Sequence, residues 1–491
     1  MINENQYRLL CELTDKLLNV DHVSSERVAI PSLHVIRANS IFLNRYESIF
    51  KSSLNFLFFS KLKFIFQTFT QLTKSLLFLK PYQKNDKITF LFISHLINES
   101  HIGNDDDFYF GNLPQLLGDE GLNSAISLIN HTPFDNKSVQ KKWVNSKTPR
   151  IILSGSIHIL DEIKILYKCF REYLKLKQES NKIQEFYLKN ITLMAARDIF
   201  SQQTLLNLRI GNQIKRIVKD IQPNVIIATF EGHAWERVVF YNAKLAKPDI
   251  YCIGYQHAAL FKNQYAIKRP IAKQVFNPDL ILTSGLIGYE QLVNESLYSS
   301  TSFEILGSHK NITLNNKSVI EKEKNTCLVI PEGVAAECLI LFEFSIKCAI
   351  KFPDIKFIWR VHPILKIDEI INNFKKFKSL PDNISISKAS LKDDLKESNW
   401  ALYRGTTAIV EAVLNDVKPI YFEMGTFNVD PLYLKINKLF YVQNVDDFSE
   451  LILNPTNSLE LNESFINLKK SLCDFYTPTN LSVLKKLVGT N

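Results

Sequence analysis

Short apolar runs alternate with longer amphipathic stretches along most of this chain. The runs at residues 88–93, 224–230 and 280–283 have the length of buried strands. After a polar stretch around residues 308–325, the alternation restarts and continues to residues 417–422. Apolar strands separated by helices predict parallel sheets with helices on both faces. We therefore predict an α/β protein with two doubly wound, Rossmann-like lobes that face a cleft.

The pattern divides the chain into four parts. Residues 1–86 have helical patterns, and residues 41–84 are rich in Phe and Leu with charges that are nearly all positive. Such a segment can lie on an anionic membrane surface, or its helices can pack on the lobe that follows. Residues 87–308 and 326–444 carry the two strand-and-helix patterns. Residues 445–491 carry helices that we expect to cross back to the first lobe.

Composition narrows the class of protein. A length of 491 residues suggests two or three domains, and 46% apolar with 22% charged residues is typical of a soluble globular protein. The net charge of +9 suits a nucleotide, an anionic sugar or a membrane surface without proving any of them, and no nucleic-acid-binding module is visible. The seven scattered cysteines form no Cys-x-x-Cys pair. With no signal pattern and no uncharged apolar run of about 20 residues, we expect a cytoplasmic protein.

The stretch from Trp400 to Leu414 combines an apolar strand, a Gly405-Thr406-Thr407 turn and an amphipathic helix. We expect Thr406 or Thr407 to cap the helix, whose unpaired first-turn N–H groups would then favour an anion. In an open α/β sheet this position lies at the carboxyl end of a strand, where ligands bind. An ordinary capped turn is the alternative, and this stretch alone leaves both open.

A second cluster follows the strand at residues 224–230. Glu231 stands where a general base must stand to reach a substrate hydroxyl, although it can also cap the next helix. Gly232 permits a sharp turn or the close approach of a ligand. His233 and Glu236 are either groups that orient an acceptor or packed helix residues.

Further candidates lie at strand ends in both halves. Pro363 holds His362 in extended backbone. Its imidazole can then contact a phosphate or protonate a leaving group. The alternative is a core residue, which a lone histidine more often is. Glu332, in a Pro-Glu-Gly333 turn, can bond a nucleotide base or ribose, or cap a helix. Arg360 is charged and close to His362, but adjacent strand residues point to opposite faces. The weaker candidates are Gln256 and His257, and an Asp105-Asp106-Asp107 run that fits a polar loop better than a metal site.

In this order the motifs resemble those of bacterial sialyltransferases and polysialyltransferases of the GT-B type. They are also similar to capsule and lipopolysaccharide transferases that use CMP-sugars, including Kdo and nonulosonate transferases. The resemblance covers roughly residues 88–430, and Phe230 stands where the family has its first acid. The three matches are Phe230-Glu231-Gly232, His362-Pro363 and Thr406-Thr407.

The resemblance implies an inverting, metal-independent transfer of a sugar from a CMP-sugar to a glycan acceptor. Glu231 would be the base, while His362 and the Thr406-Thr407 turn would hold the phosphate. The sugar would be acidic, such as a sialic, pseudaminic or Kdo-like sugar, and no cofactor would be needed beyond the donor. Nucleotide-diphosphate-sugar or polyol-phosphate transfer and a noncatalytic scaffold remain alternatives. The expected substrate-binding residues are Gly232, His233, Gln256, His257, Glu332, Gly333, Arg360, Pro363, Gly405, Thr406 and Thr407.

Overall fold

A computed structural model describes residues 2–51, 70–73, 75, 87–143, 146–310, 325–373, 377, 379–453 and 458–489. In these residues two parallel sheets, of seven and six strands, carry helices and are preceded by a helical N-terminal segment. The predicted fold class is therefore confirmed: two Rossmann-like lobes in the GT-B arrangement. No helix in the described ranges is long and apolar enough to cross a membrane.

The N-terminal segment packs on helices of the first lobe. Its helices are α1 (Glu4–Leu18), α2 (Ser25–Val28) and α3 (Ser40–Leu43). Asn3 caps α1, and the apolar face of α1 buries Leu10 and Leu13 in a core shared with Ile191 and Met194. Most of the predicted membrane-binding segment, residues 52–69, 74 and 76–84 of 41–84, lies outside the described residues.

The first lobe is built on one parallel sheet. Its strands are β1 (Phe90–Leu96), β2 (Ser124–Asn130), β3 (Arg150–Leu153), β4 (Val225–Thr229), β5 (Tyr251–Gln256), β6 (Leu280–Thr283) and β7 (Ser302–Ile305). Its helices are α4 (Leu113–Asp119), α5 (Asn136–Lys141), α6 (Ile159–Lys182), α7 (Phe186–Asp198), α8 (Gln202–Ile221), α9 (Ala234–Ala246) and α10 (Leu286–Glu295). Strands β1 and β4 are almost wholly buried, as expected for apolar runs covered on both faces.

The second lobe repeats this plan after the residues between the lobes. Its strands are β8 (Thr326–Pro331), β9 (Lys356–Trp359), β10 (Ile384–Ile386), β11 (Trp400–Arg404), β12 (Lys418–Phe422) and β13 (Tyr441–Val442). Its helices are α11 (Ala335–Lys351), α12 (Ile367–Asn373), α13 (Leu391–Glu397), α14 (Ala408–Leu414) and α15 (Val445–Leu453). The core of this lobe stacks Trp359 on Phe342, with ring centroids 4.0 Å apart.

The strand order of each sheet reverses at one point. The first sheet runs β3-β2-β1-β4-β5-β6-β7 and the second runs β10-β9-β8-β11-β12-β13. Crevices therefore open beyond the carboxyl ends of β1 and β4, and of β8 and β11, which is where ligands bind in open parallel sheets. Glu231 follows β4, Glu332 follows β8, and Gly405 follows β11. The fold thus places three of the predicted residues at these reversal points.

The last helices, α16 (Ser458–Leu472) and α17 (Ser482–Lys486), lead the chain back to the first lobe. Backbone N–H groups of Ser308 and Asn480 donate to carbonyls of Thr477 (2.9 Å) and Leu306 (2.7 Å). Leu484 is fully buried in the core beneath β1 and β2. The C-terminal residues therefore complete the first lobe.

Candidate functional site

A cavity of about 1430 Å³ opens between the two lobes. Residues of both lobes and of the N-terminal segment line this cavity. The crevices at the strand-order reversals of the two sheets therefore open into the same cavity. The predicted site residues that line it are Glu231, His233, His257, Glu332, Gly333, Arg360, His362, Pro363, Gly405, Thr406 and Thr407. Gly232 and Gln256 are not among its lining residues.

Glu231 and His233 form a pair on the first-lobe wall. His233 donates from Nε2 to Glu231 Oε2 at 3.2 Å, and the side chains are 31% (Glu231) and 40% (His233) exposed to the cavity. Burial favours the neutral carboxyl, but the hydrogen bond and charge of His233 outweigh it, so the pKa of Glu231 lies well below its ordinary value. Burial opposes the charged imidazole, yet Glu231 raises the pKa of His233 above 6.5. The two groups therefore titrate as a coupled carboxylate–imidazolium pair.

Glu236 holds the turn that presents this pair. Its carboxylate accepts from the backbone N–H groups of Glu231 (3.0 Å), Gly232 (2.8 Å) and His233 (2.7 Å). The side chain is 1% exposed, and burial raises its pKa to about 7. Glu236 therefore does not reach an acceptor, which corrects one of the two roles that the sequence left open.

Gly232 serves the backbone of the same turn. Its φ is +86°, which favours glycine, and a Cβ there would lie 2.3 Å from the Ala266 carbonyl carbon. Gly232 therefore serves the sharp turn, one of the two roles that the sequence left open, and it is not among the residues that line the cavity.

His362 stands on the second-lobe wall as a neutral hydrogen-bond donor. Burial, with the nearby charge of Lys310, lowers the pKa of its imidazole to about 4. The Ile364 N–H donates to His362 Nδ1 at 3.3 Å, which leaves the proton of the neutral ring on Nε2. Pro363 presents its carbonyl to the Asn98 amide at 2.9 Å, and this bond joins the two lobes beside the histidine. At neutral pH His362 can therefore donate a hydrogen bond but is not a protonated acid.

The Gly405-Thr406-Thr407 turn lies at the same wall, but its threonines do not both cap a helix. The Thr406 hydroxyl accepts the Ala408 N–H at 3.4 Å, whereas Thr407 Oγ1 accepts the Ala259 N–H of the first lobe at 3.2 Å. Helix α14 is only seven residues long. Of the two alternatives predicted, the Thr406 hydroxyl is the one that accepts a first-turn N–H, whereas Thr407 joins the lobes.

Glu332 neither caps a helix nor stands alone. Its carboxylate forms an ion pair with Arg37 of the N-terminal segment, and helix α11 begins after Val334 without a side-chain cap. Asn39, two residues further, donates to Glu337 at 2.8 Å, and Glu337 also accepts from Arg404 Nε at 2.7 Å. The N-terminal segment therefore contacts the second lobe at the cavity, which no local pattern in the sequence indicated.

Two other candidates have structural partners. Gln256 is 2% exposed and donates to the Ala258 carbonyl, so its side chain points into the first lobe and does not line the cavity. Arg360 lines the cavity, but its Nη1 donates to Asp394 and to the Ala389 carbonyl, both at 2.7 Å. Its guanidinium is therefore held at the cavity edge by its own lobe.

The remaining candidates lie on the first-lobe side. His257 packs its ring against Tyr109, with centroids 4.5 Å apart, and burial lowers its pKa. Asp107 is buried and accepts from Ser94 (2.9 Å) and from the Phe110 N–H (3.0 Å), so it shapes a loop as expected but is not solvated. Within the described ranges no group of three or more His, Cys, Asp or Glu side chains is arranged to hold a metal ion.

Comparison with known proteins gives similarity only at the level of structure. No protein-family model and no curated protein sequence matches the chain. The glycotransferase of kitacinnamycin has a TM-score of 0.47 and 10% identity over 82% of this chain and 100% of its own. The glycosyltransferase SnogD from Streptomyces nogalater has a TM-score of 0.45 and 11% identity over 82% and 99%. A UDP-GlcNAc 2-epimerase from Neisseria meningitidis, bound to UDP-GlcNAc, has a TM-score of 0.42 and 12% identity over 82% and 98%. Scores in this range establish neither an activity nor a substrate for this chain.

Proposed function

We propose that this chain is an inverting, metal-independent glycosyltransferase that moves an acidic sugar from a CMP-sugar to a glycan acceptor. The product would belong to a surface polysaccharide such as capsule or lipopolysaccharide. One observation carries the proposal: a single cavity holds the Glu231–His233 pair on one lobe and His362 with the Gly405–Thr407 turn on the other. A base and a set of anion-binding groups are the two parts that glycosyl transfer requires.

The residues divide the chemistry between the two walls. Glu231 removes the proton from the acceptor hydroxyl, and the oxygen attacks the anomeric carbon as the bond from that carbon to the phosphate oxygen breaks. The nucleotide leaves with the electron pair, and the anomeric configuration inverts. His362 donates its Nε2–H to a phosphate oxygen as negative charge develops there. A positioned base contributes typically about 10²–10⁴-fold, and one preorganised donor about 10²–10³-fold.

The choice of CMP rests on the charge of the leaving group and on the motif resemblance. CMP carries one phosphate, so neutral donors such as His362 and the Thr406 hydroxyl can meet much of its charge. A diphosphate would bring a second anion to the same wall.

A nucleotide panel tests the donor class. We expect CMP, and not UDP, GDP or CDP, to raise the thermal midpoint of the purified protein. A shift with UDP alone would replace the CMP donor by a nucleotide-diphosphate sugar.

Transfer itself is tested by Glu231→Gln, which keeps the shape and removes the base. We expect turnover to fall at least 100-fold while CMP still shifts the midpoint. Glu12→Gln, an exposed carboxylate on α1, is the matched control and should keep full activity. If Glu231→Gln keeps its turnover or its role in the cell, the base is wrong and the noncatalytic scaffold gains support.

A further inference from the structure

The N-terminal segment inserts one buried arginine into the cavity. The Arg37 side chain is 6% exposed, and its guanidinium carbon lies 3.9 Å from the ring centroid of Phe261 and 5.1 Å from that of Phe42. Its Nη2 donates to Glu332, whereas Nη1 is buried with no hydrogen-bond partner among the described residues. Arg37 is thus held by Glu332 and the two rings, while its Nη1, like Glu332 Oε2, lacks a hydrogen-bond partner among the described residues.

The position of this donor is set by close contacts on the second-lobe wall. A Cβ on Gly405 would lie 2.6 Å from Glu332 Oε2, so the carboxylate packs directly on the Gly405 turn. A Cβ on Gly333, the next residue, would lie 3.0 Å from the ring of His362. Glu332, the partner of Arg37, therefore lies beside both groups to which the phosphate was assigned, and Arg37 lines the same cavity.

A buried donor without a partner costs free energy that only a ligand or water can recover. Burial lowers the pKa of Arg37 only to about 10, so the group is a cation at neutral pH. A guanidinium presents its N–H groups in a rigid fork that matches phosphate oxygens, and here one arm of the fork is fixed by Glu332. The second arm is therefore preorganised for an oxyanion.

We propose that Arg37 binds the phosphate of the nucleotide donor and stabilises the charge on the departing nucleotide. The inference rests on the proposed function and deepens it. Glu332 is then the positioning residue that fixes the guanidinium. The N-terminal segment, which lies outside the motif resemblance, becomes part of the donor site.

The role of Arg37 is tested by isothermal titration, which gives the dissociation constants of CMP and cytidine. The two ligands differ only in the phosphate. They are titrated into the wild type, Arg37→Gln and Arg37→Lys proteins. We expect Arg37→Gln to weaken CMP about 10- to 100-fold and to change cytidine less than about threefold. Arg37→Lys keeps the charge without the fork and should lie between. Arg8→Gln, an exposed arginine on α1, is the matched control and should bind both ligands as wild type does.

Each contrary result has a separate meaning. If Arg37→Gln lowers the affinities for CMP and cytidine equally, the inference is overturned and Arg37 is a structural contact between segments. Loss of binding of free sialic acid, with CMP unaffected, would overturn it in favour of a sugar carboxylate. UMP and uridine are titrated in parallel. If the wild-type protein binds UMP and not CMP, the CMP donor is refuted, and the comparison of UMP with uridine in the Arg37 variants tests Arg37 in the same way. A wild-type protein that binds none of the nucleotides refutes the proposed function, and the inference with it.

Discussion

Glu236 is the residue whose loss should most clearly separate a positioned base from an incidental carboxylate. The Glu236→Ala substitution removes the carboxylate that accepts the backbone N–H groups of Glu231, Gly232 and His233. The turn that carries the proposed base then loses the acceptor shared by its three N–H groups.

The cost can be worked from the exposure of the three donors. Gly232 is buried, so its N–H loses the full value of a buried partner, about 1–3 kcal/mol. Glu231 and His233 face the cavity, where water recovers part of the bond, and each loses about 1 kcal/mol. The free energy of unfolding should fall by about 3–5 kcal/mol. A displacement of Glu231 by about 1 Å would lower turnover on the order of 10²-fold.

Glu236→Gln is the matched conservative variant. One oxygen of Glu236 accepts from all three residues, so a glutamine oxygen placed there keeps those bonds, and its amide opposes only the Glu231 N–H. We expect a loss of about 1 kcal/mol and a small effect on turnover. Glu120→Ala, a surface carboxylate paired with Lys485, should change neither quantity.

Denaturant unfolding and transfer kinetics measure both effects. If the Glu236→Ala protein unfolds at the wild-type denaturant midpoint and catalyses transfer at the wild-type rate, Glu236 does not hold the turn. A stability loss without a loss of turnover would show that the turn is supported by Glu236 but does not position the base.

Two further predictions concern the site and the contact between segments. Below the raised pKa of His233, the imidazolium keeps Glu231 a weak base, so kcat/KM should rise with pH through an inflection above 6.5. His233→Gln should remove that inflection, and an unchanged pH profile would contradict the pairing. Glu337→Ala leaves Arg404 buried without its carboxylate and frees Asn39, so the free energy of unfolding should fall by about 3–5 kcal/mol, whereas a loss below 1 kcal/mol would contradict this.

The sequence predicts the parts of this molecule that local patterns determine. Apolar runs located most strands, because a strand covered on both faces must be apolar throughout. Strands β7 and β13 were missed because they are short, lie at sheet edges and are only partly buried. Between β3 and β4, where the sequence predicts one long helical stretch over about residues 157–217, the chain forms three helices, α6, α7 and α8.

The candidate site residues also divide into those that local sequence patterns indicate and those that only the assembled fold brings together. Glu231 and His362 line the cavity as the sequence predicts, because the end of a strand can be found from the chain itself. Arg37 could not be, because its partner Glu332 lies 295 positions away and only the assembled fold brings them together. The burial of Gln256 could not be predicted for a related reason: one position along a strand reverses the direction of the side chain, and the sequence does not fix which face meets the cavity.

The return of the chain to its first lobe has a consequence for biosynthesis. Leu484 fills the core beneath β1 and β2, although those strands leave the ribosome several hundred residues earlier. The first lobe therefore cannot complete this core until almost the whole polypeptide has been synthesised. Truncated chains that end after β13 should accordingly be aggregation-prone substrates for chaperones, even though both sheets are already encoded.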